Sequence, residues 1–165
     1  MSAEPSLQER IPRNHCWGCG PENSDGLQLK SYPDGDGAVA TWQPRPPYFA
    51  GPVHVLNGGV IASLIDCHSV CTAIADFYRA EGREIGSAPD IWCATASLSV
   101  GYLRPVPLDA PVTLRAHVVE RDGRRVTVAC TLESNGKECA RGEVVAVRVP
   151  ETWRERQPEQ EARHA

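Results

Sequence analysis

The stretch from Asn57 to about Ala80 constrains the fold most. Val60, Ile61, Leu64, Ile65, Ile74 and Phe77 fall mostly at helical spacing, and no proline interrupts them. Ala62, Ser63, Asp66, Ser69 and Ala73, small or polar, fall largely on another face. The spacing predicts a helix nearly apolar all round, which marks a buried helix. Asn57 is a good N-cap for it. A buried helix of roughly six turns needs a sheet to wrap it.

The flanking sequence supplies that sheet. Residues 27–32 alternate at period two, 33–37 read as a turn and 38–42 as a second strand, so the pair predicts a hairpin. Residues 43–55 hold four prolines and read as an irregular loop. Strands are expected over 94–103, 112–120, 126–133 and 139–149. Asp122-Gly123 centres one tight turn and Ser134-Asn135-Gly136 makes another. Four consecutive strands with short turns predict an antiparallel meander. The fold class expected is α+β: one long helix packed into a curved antiparallel sheet.

At 165 residues, the length suits one domain. Residues 14–150 are expected to form it, between a polar tail over 1–13 and a charged tail over 151–165, both read as disordered or frayed. The net charge of −4 argues against a nucleic-acid partner, which usually selects a basic footprint. No apolar run approaches the ~20 residues that cross a bilayer, and residues 1–13 lack the apolar stretch of a secretory signal. No membrane partner and a cytoplasmic location are the expectations, and with them reduced cysteines. There are seven of these. Cys67, Cys71 and Cys130 sit among apolar residues, where a thiol behaves as a small hydrophobe.

Asn57-Gly58-Gly59, Asp66 two turns further on, and a late meander entered through Tyr102-Leu103-Arg104-Pro105 together resemble the hotdog-fold acyl-CoA thioesterases. The phenylacetate-pathway branch is the most similar, with a usual motif of His-Gly-Gly followed by such an Asp. Cys16-Trp17-Gly18-Cys19-Gly20-Pro21-Glu22-Asn23, with Gly26-Leu27 after it, also resembles a segment common before the first strand in that superfamily. The resemblance covers about residues 14–149. It implies an acyl-CoA substrate, no cofactor, and a homodimer or dimer of dimers in which the acid of one subunit faces the Gly pair of the other. It implies that Asp66 acts as general base or nucleophile. It also implies that Thr95, seven residues before Tyr102, orients the nucleophilic water.

The residues carry a physical case of their own. A helix N-terminus presents unpaired N–H groups and a positive dipole end, and glycine lets a ligand approach that backbone. A thioester carbonyl at Gly58 and Gly59 would be polarised there. A Gly pair by itself equally serves a tight turn or close packing. A carboxylate such as Asp66, two turns into an apolar helix, is costly to bury without partners. Burial raises its pKa and makes it a better proton acceptor, although lone buried acids are often structural. Thr95 is as readily an ordinary strand threonine. Ser63, beside Ala62 and Ala73, suits the wall of an acyl tunnel.

Two positions depart from the family pattern. Asn57 stands where the motif has His, so a role needing imidazole is lost. His54 is a substitute by position, with a plain loop histidine as the simpler reading. Gly51 falls where some relatives carry an assisting amide or acid. His68 is expected to be a core or interface histidine, because its side chain points about 200° from that of Asp66. Arg104, Arg121, Arg124 and Arg125 are candidates for gripping the phosphates of CoA; Arg104 belongs to the resembling segment. Cys16-x-x-Cys19 is half of a zinc ribbon. His15 with Cys67, His68 or Cys71 could complete a set, but no spacing requires it, so no metal is assigned and a packed loop is expected. The leading function is hydrolysis of an acyl-CoA to free acid and CoA. A non-catalytic acyl-CoA or lipid binder is the alternative, and a hotdog dehydratase a more distant one.

Overall fold

In the computed structural model, which describes residues 4–154, the elements run α1 (Leu7–Arg10), β1 (Ser31–Asp34), β2 (Gly37–Trp42), α2 (Gly58–Ala80), β3 (Cys93–Tyr102), β4 (Val112–Asp122), β5 (Arg125–Ser134), β6 (Lys137–Arg148) and α3 (Glu151–Arg154). Six antiparallel strands form one sheet in the order β1-β2-β4-β5-β6-β3. It packs around α2, as the hotdog arrangement requires.

Helix α2 starts where the sequence places it. The Asn57 side chain accepts hydrogen bonds from the Gly59 and Val60 amides at 2.8 and 3.4 Å, satisfying two of the orphan donors of the first turn. Contrary to the expectation that no apolar run approaches a bilayer's width, α2 is long and apolar enough to cross one; here the sheet and the N-terminal segment bury most of it. Leu64, Ile65, Ala73 and Ile74 are in the core with Leu114, Val128, Leu132 and Val144. Strand β5 alternates buried and less buried residues along almost its whole length, the period-two signature of a sheet with one covered face. Gly142 on β6 sets how closely helix and sheet approach: a Cβ there would lie 2.5 Å from Ile65 Cγ2.

Three expectations change. Strands β4, β5 and β6 form a meander, with Asn135 and Gly136 both at positive φ in the last turn, but β3 does not join it beside β4. It crosses to the far edge and pairs with β6. The neighbouring side of β4 is already taken by β2, and residues 103–111, with Pro105 and Pro107, make a long link rather than a tight turn. The first hairpin is also tighter than expected: β1 begins at Ser31, while Leu27 and Leu29 are buried loop residues. Finally, residues 7–10 are no tail. Ser6 and Glu9 form a capping box, and Leu7 and Ile11, one turn apart, reach the core. Of the charged C-terminal tail, residues 151–154 are helical and 155–165 lie outside the described residues.

Candidate active site

One stripe of α2 escapes the sheet. Gly59, Ala62, Ser63, Asp66 and Val70 recur at helical spacing and all keep some exposure. Asp66 is the only ionisable group among them. Its Oδ1 accepts a hydrogen bond from the Thr95 hydroxyl at 2.7 Å. Thr95 sits at a break in the β3–β6 register between Thr95 and Ser97. Such a bulge re-aims a side chain, and here it belongs to the strand that faces Asp66. Burial pushes the Asp66 carboxyl above its ordinary value; the Thr95 hydrogen bond opposes this, and the neighbouring Cys19 sulfur adds to the upward push. A cavity of about 180 Å³ opens beside the pair, lined by Asp66, Thr95, Val70, Ile74, Trp92 and Cys67 among others.

The other half of the expected machinery lies at the start of α2. The Gly59 amide is taken by Asn57. Among the described residues no hydrogen bond engages the Gly58 amide, so its N–H remains available to a ligand. Tyr102, in the sequence only part of the motif that enters the late meander, covers this end. Its hydroxyl donates to the Gly58 carbonyl at 2.7 Å, and its ring lies 3.4 Å from where a Gly58 Cβ would stand. Asn57 is therefore a capping residue, with its oxygen turned to the helix. Ser63 donates its hydroxyl back to the Gly59 carbonyl at 2.9 Å.

The remaining candidates lie further out. His54 is exposed in the loop before α2, where its carbonyl accepts from the Leu108 amide. Gly51 is exposed with nothing within 4 Å of its missing side chain. Arg104 is exposed and donates to the Glu138 carbonyl at 2.7 Å. Arg121 is held in an ion pair with Asp76, and Arg124 donates to the Arg148 carbonyl. His68 is fully buried, with Nε2 against the Ala38 carbonyl at 3.1 Å and Nδ1 against the Ser31 hydroxyl at 2.7 Å. A carbonyl can only accept, so Nε2 carries the proton and Nδ1 accepts from Ser31. Burial lowers the His68 pKa to about 4, which keeps it a neutral core residue.

A family model described as the thioesterase superfamily matches residues 54–140, a span that holds the Gly pair, Asp66 and Thr95. The chain belongs to the thioesterase superfamily. Acyl-coenzyme A thioesterase THEM4 of Xenopus laevis is 30% identical over 109 residues, 66% of this chain and 43% of its own. The chain spans half or less of the length of the curated relatives it matches. A crystal structure of a thioesterase superfamily protein from Shewanella loihica PV-4 shares 34% identity at a TM-score of 0.61, covering 83% of this chain and 96% of that one. The PaaI protein of the E. coli phenylacetic acid degradation operon shares the fold, at 16% identity and a TM-score of 0.62 over 75% of this chain and 81% of its own. Within the superfamily frame, Asp66 and the start of α2 are the chemically equipped part of the open stripe.

Proposed function

We propose that this thioesterase superfamily member hydrolyses an acyl-CoA to free acid and CoA at a site shared by two copies of the chain. The observation that carries the reading is the separation of its two parts along one helix. Asp66 is seven positions after Gly59, a rise of roughly 10 Å, and Gly58 is one residue further. One thioester carbonyl cannot touch both the Gly58 amide and the Asp66 carboxylate of the same chain. A second copy placing its Gly58 opposite Asp66 supplies the missing half.

Two further features support the shared site. Strand β3 is a ten-residue edge, mostly exposed on both faces, with Leu98 40% and Tyr102 54% exposed. An edge of this length is a template for pairing with another strand. The cavity of about 180 Å³ is also smaller than the ~300–1,000 Å³ usual for ligand sites, so one copy alone forms only part of the pocket.

In this reading the acyl carbonyl oxygen accepts from the Gly58 amide of one copy, aided by the helix dipole. Asp66 of the other copy is held by Thr95. It takes a proton from water as the water oxygen attacks the carbonyl carbon. The C–S bond breaks, CoA leaves as thiolate, and the proton held on Asp66 returns to it. Direct attack by Asp66, giving an anhydride that water then cleaves, uses the same placement. Arg104, exposed on the loop after β3, adds positive charge for the phosphates of CoA. Asn57 favours a second reading, a non-catalytic acyl-CoA binder, because its side chain caps the helix and offers no acid or base. CoA release from a panel of acyl-CoAs by wild type and Asp66→Asn separates the two. Turnover lost in the variant supports hydrolysis. Equal rates remove Asp66 from the mechanism, and tight binding without turnover in wild type supports the binder.

A further inference from the structure

Three cysteine sulfurs meet beside the Asp66 cavity, and the hydrolysis proposed above uses none of them. Cys16 and Cys19 come from the loop before β1, and Cys67 from α2. Their Sγ atoms all lie within 4.8 Å of one another, with Cys16 Sγ 3.7 Å from Cys67 Sγ. Sulfurs bound tetrahedrally to one zinc ion at ~2.3 Å stand roughly 3.8 Å apart. The cluster therefore has the spacing of a zinc coordination shell, and the 3.7 Å separation is far beyond the ~2.05 Å of a disulfide.

The loop is shaped around that convergence. A Cβ on Gly18 would stand 2.3 Å from Cys67 Sγ, so only glycine lets the loop lie on the helix there. Gly20 donates its amide to the Cys16 carbonyl at 2.7 Å, and a Cβ on it would strike the backbone of Asn14 and Cys16. That turn folds Cys-x-x-Cys back on itself and brings both sulfurs to Cys67. The Asn14 side-chain amide points at Cys19 Sγ, 3.9 Å away, a donor that favours a thiolate there. Cys71, one helical turn after Cys67, is buried in the lining of the same cavity, outside the three-sulfur cluster itself. It is the further thiol in that lining from which a fourth ligand can come. An all-thiolate set selects a soft or borderline metal and rejects magnesium and calcium.

We propose that Cys16, Cys19 and Cys67, with Cys71 turning in as the fourth ligand, form a structural zinc site that staples the loop before β1 to the middle of α2. The ion would sit one residue from Asp66 along the helix and fix the wall of the acyl cavity without touching the thioester. Each thiol that binds zinc gives up its proton to solvent.

The test uses the full chain, produced with zinc in the medium and purified under reducing conditions without chelator. Elemental analysis is expected to find about one zinc per chain. Exchange with cobalt(II) is expected to give thiolate-to-metal charge-transfer absorption in the near ultraviolet and the visible bands of a tetrahedral ion. Cys16→Ser and Cys67→Ser each lose the metal, while Cys139→Ser, on β6 and outside the cluster, keeps it. Cys16 is exposed, so its variant folds, and circular dichroism confirms that the loss is one of ligation. A strong chelator lowers the Tm of wild type and leaves that of Cys16→Ser unmoved. Wild type without metal, a cobalt spectrum lacking the charge-transfer band, or a Cys16–Cys67 disulfide found by mass spectrometry in freshly purified protein overturns the proposal. None of these readouts depends on thioester hydrolysis.

Discussion

Replacing Gly58 by proline removes one hydrogen-bond donor and little else. Gly58 is the first residue of α2, a position where proline is well tolerated because its N–H has no helical partner. The preceding Asn57 has φ −62° and ψ 134°, the extended conformation that proline demands of its predecessor. The added Cβ meets Tyr102 Cε1 at 3.4 Å, an ordinary contact. The helix start, the Asn57 cap on Gly59 and the Tyr102 bond to the Gly58 carbonyl all survive. If the Gly58 amide polarises the thioester, its loss costs about 10²–10³-fold in kcat, roughly 2.7–4 kcal/mol. Gly58→Ala adds the same Cβ and keeps the N–H, so it is expected to stay close to wild type. The assay is steady-state CoA release with both variants at matched Tm. Gly58→Pro turning over as fast as Gly58→Ala would refute the assignment.

Other variants test the rest of the site and the packing beneath it. Asp66→Asn is expected to lose about 10²–10⁴-fold in kcat and to gain thermal stability at neutral pH. The sign follows from burial: the folded carboxyl titrates above its unfolded value, so its favourable contribution is complete below about pH 4 and is lost as pH rises through the folded pKa. The Tm gain of the variant should accordingly vanish in acid, and a Tm loss at neutral pH would make Asp66 a structural acid. Thr95→Val keeps the shape and removes the hydroxyl bonded to Asp66. It should cost roughly 10–100-fold in kcat, a charged hydrogen bond of about 1.5–3 kcal/mol. The acid limb of its pH–rate profile should move upward, since that bond holds the Asp66 pKa down; an unmoved limb would mean Thr95 only packs. Gly142→Ala drives a methyl to 2.5 Å from Ile65 Cγ2, and overpacking of about 1–3 kcal/mol should show as a lower Tm with activity per folded site retained. An unchanged Tm would mean that the approach of α2 to β6 is slack.

The helix was the most legible part of the chain, because its signals are local. Asn57 caps, the apolar residues run all round, and the first proline after them is Pro89, beyond the end of α2. The hairpins at Asp122-Gly123 and Asn135-Gly136 were legible for the same reason: two residues with turn chemistry set each one. The place of β3 was not, because its own pattern says only that it is a strand. Which neighbour it pairs with depends on β2 having already taken the free side of β4. The four-residue α1 was missed since Leu7 and Ile11 mean little until the core they reach exists. At the site, Asp66 was visible as a carboxylate out of place on an apolar helix. Its contact with Thr95, 29 residues away, rested on resemblance alone. The meeting of Cys16 with Cys67 across 51 residues left no mark in spacing, because it depends on Gly18 letting the loop lie against the helix. Tyr102 over Gly58 was likewise a product of the β3 crossover.

The central claim is that the Gly58 amide and the Asp66 carboxylate act on one carbonyl from two different chains. Mixing Gly58→Pro and Asp66→Asn, each nearly inactive alone, tests it by subunit exchange. In each mixed dimer, one site carries both defects and the other carries neither. With half of the dimers mixed and half of their sites intact, an equimolar exchange should recover about one quarter of wild-type activity. Recovery to that level is the result predicted. No recovery, with mixed dimers shown to form by native mass spectrometry, would place both groups in one chain and contradict the shared site.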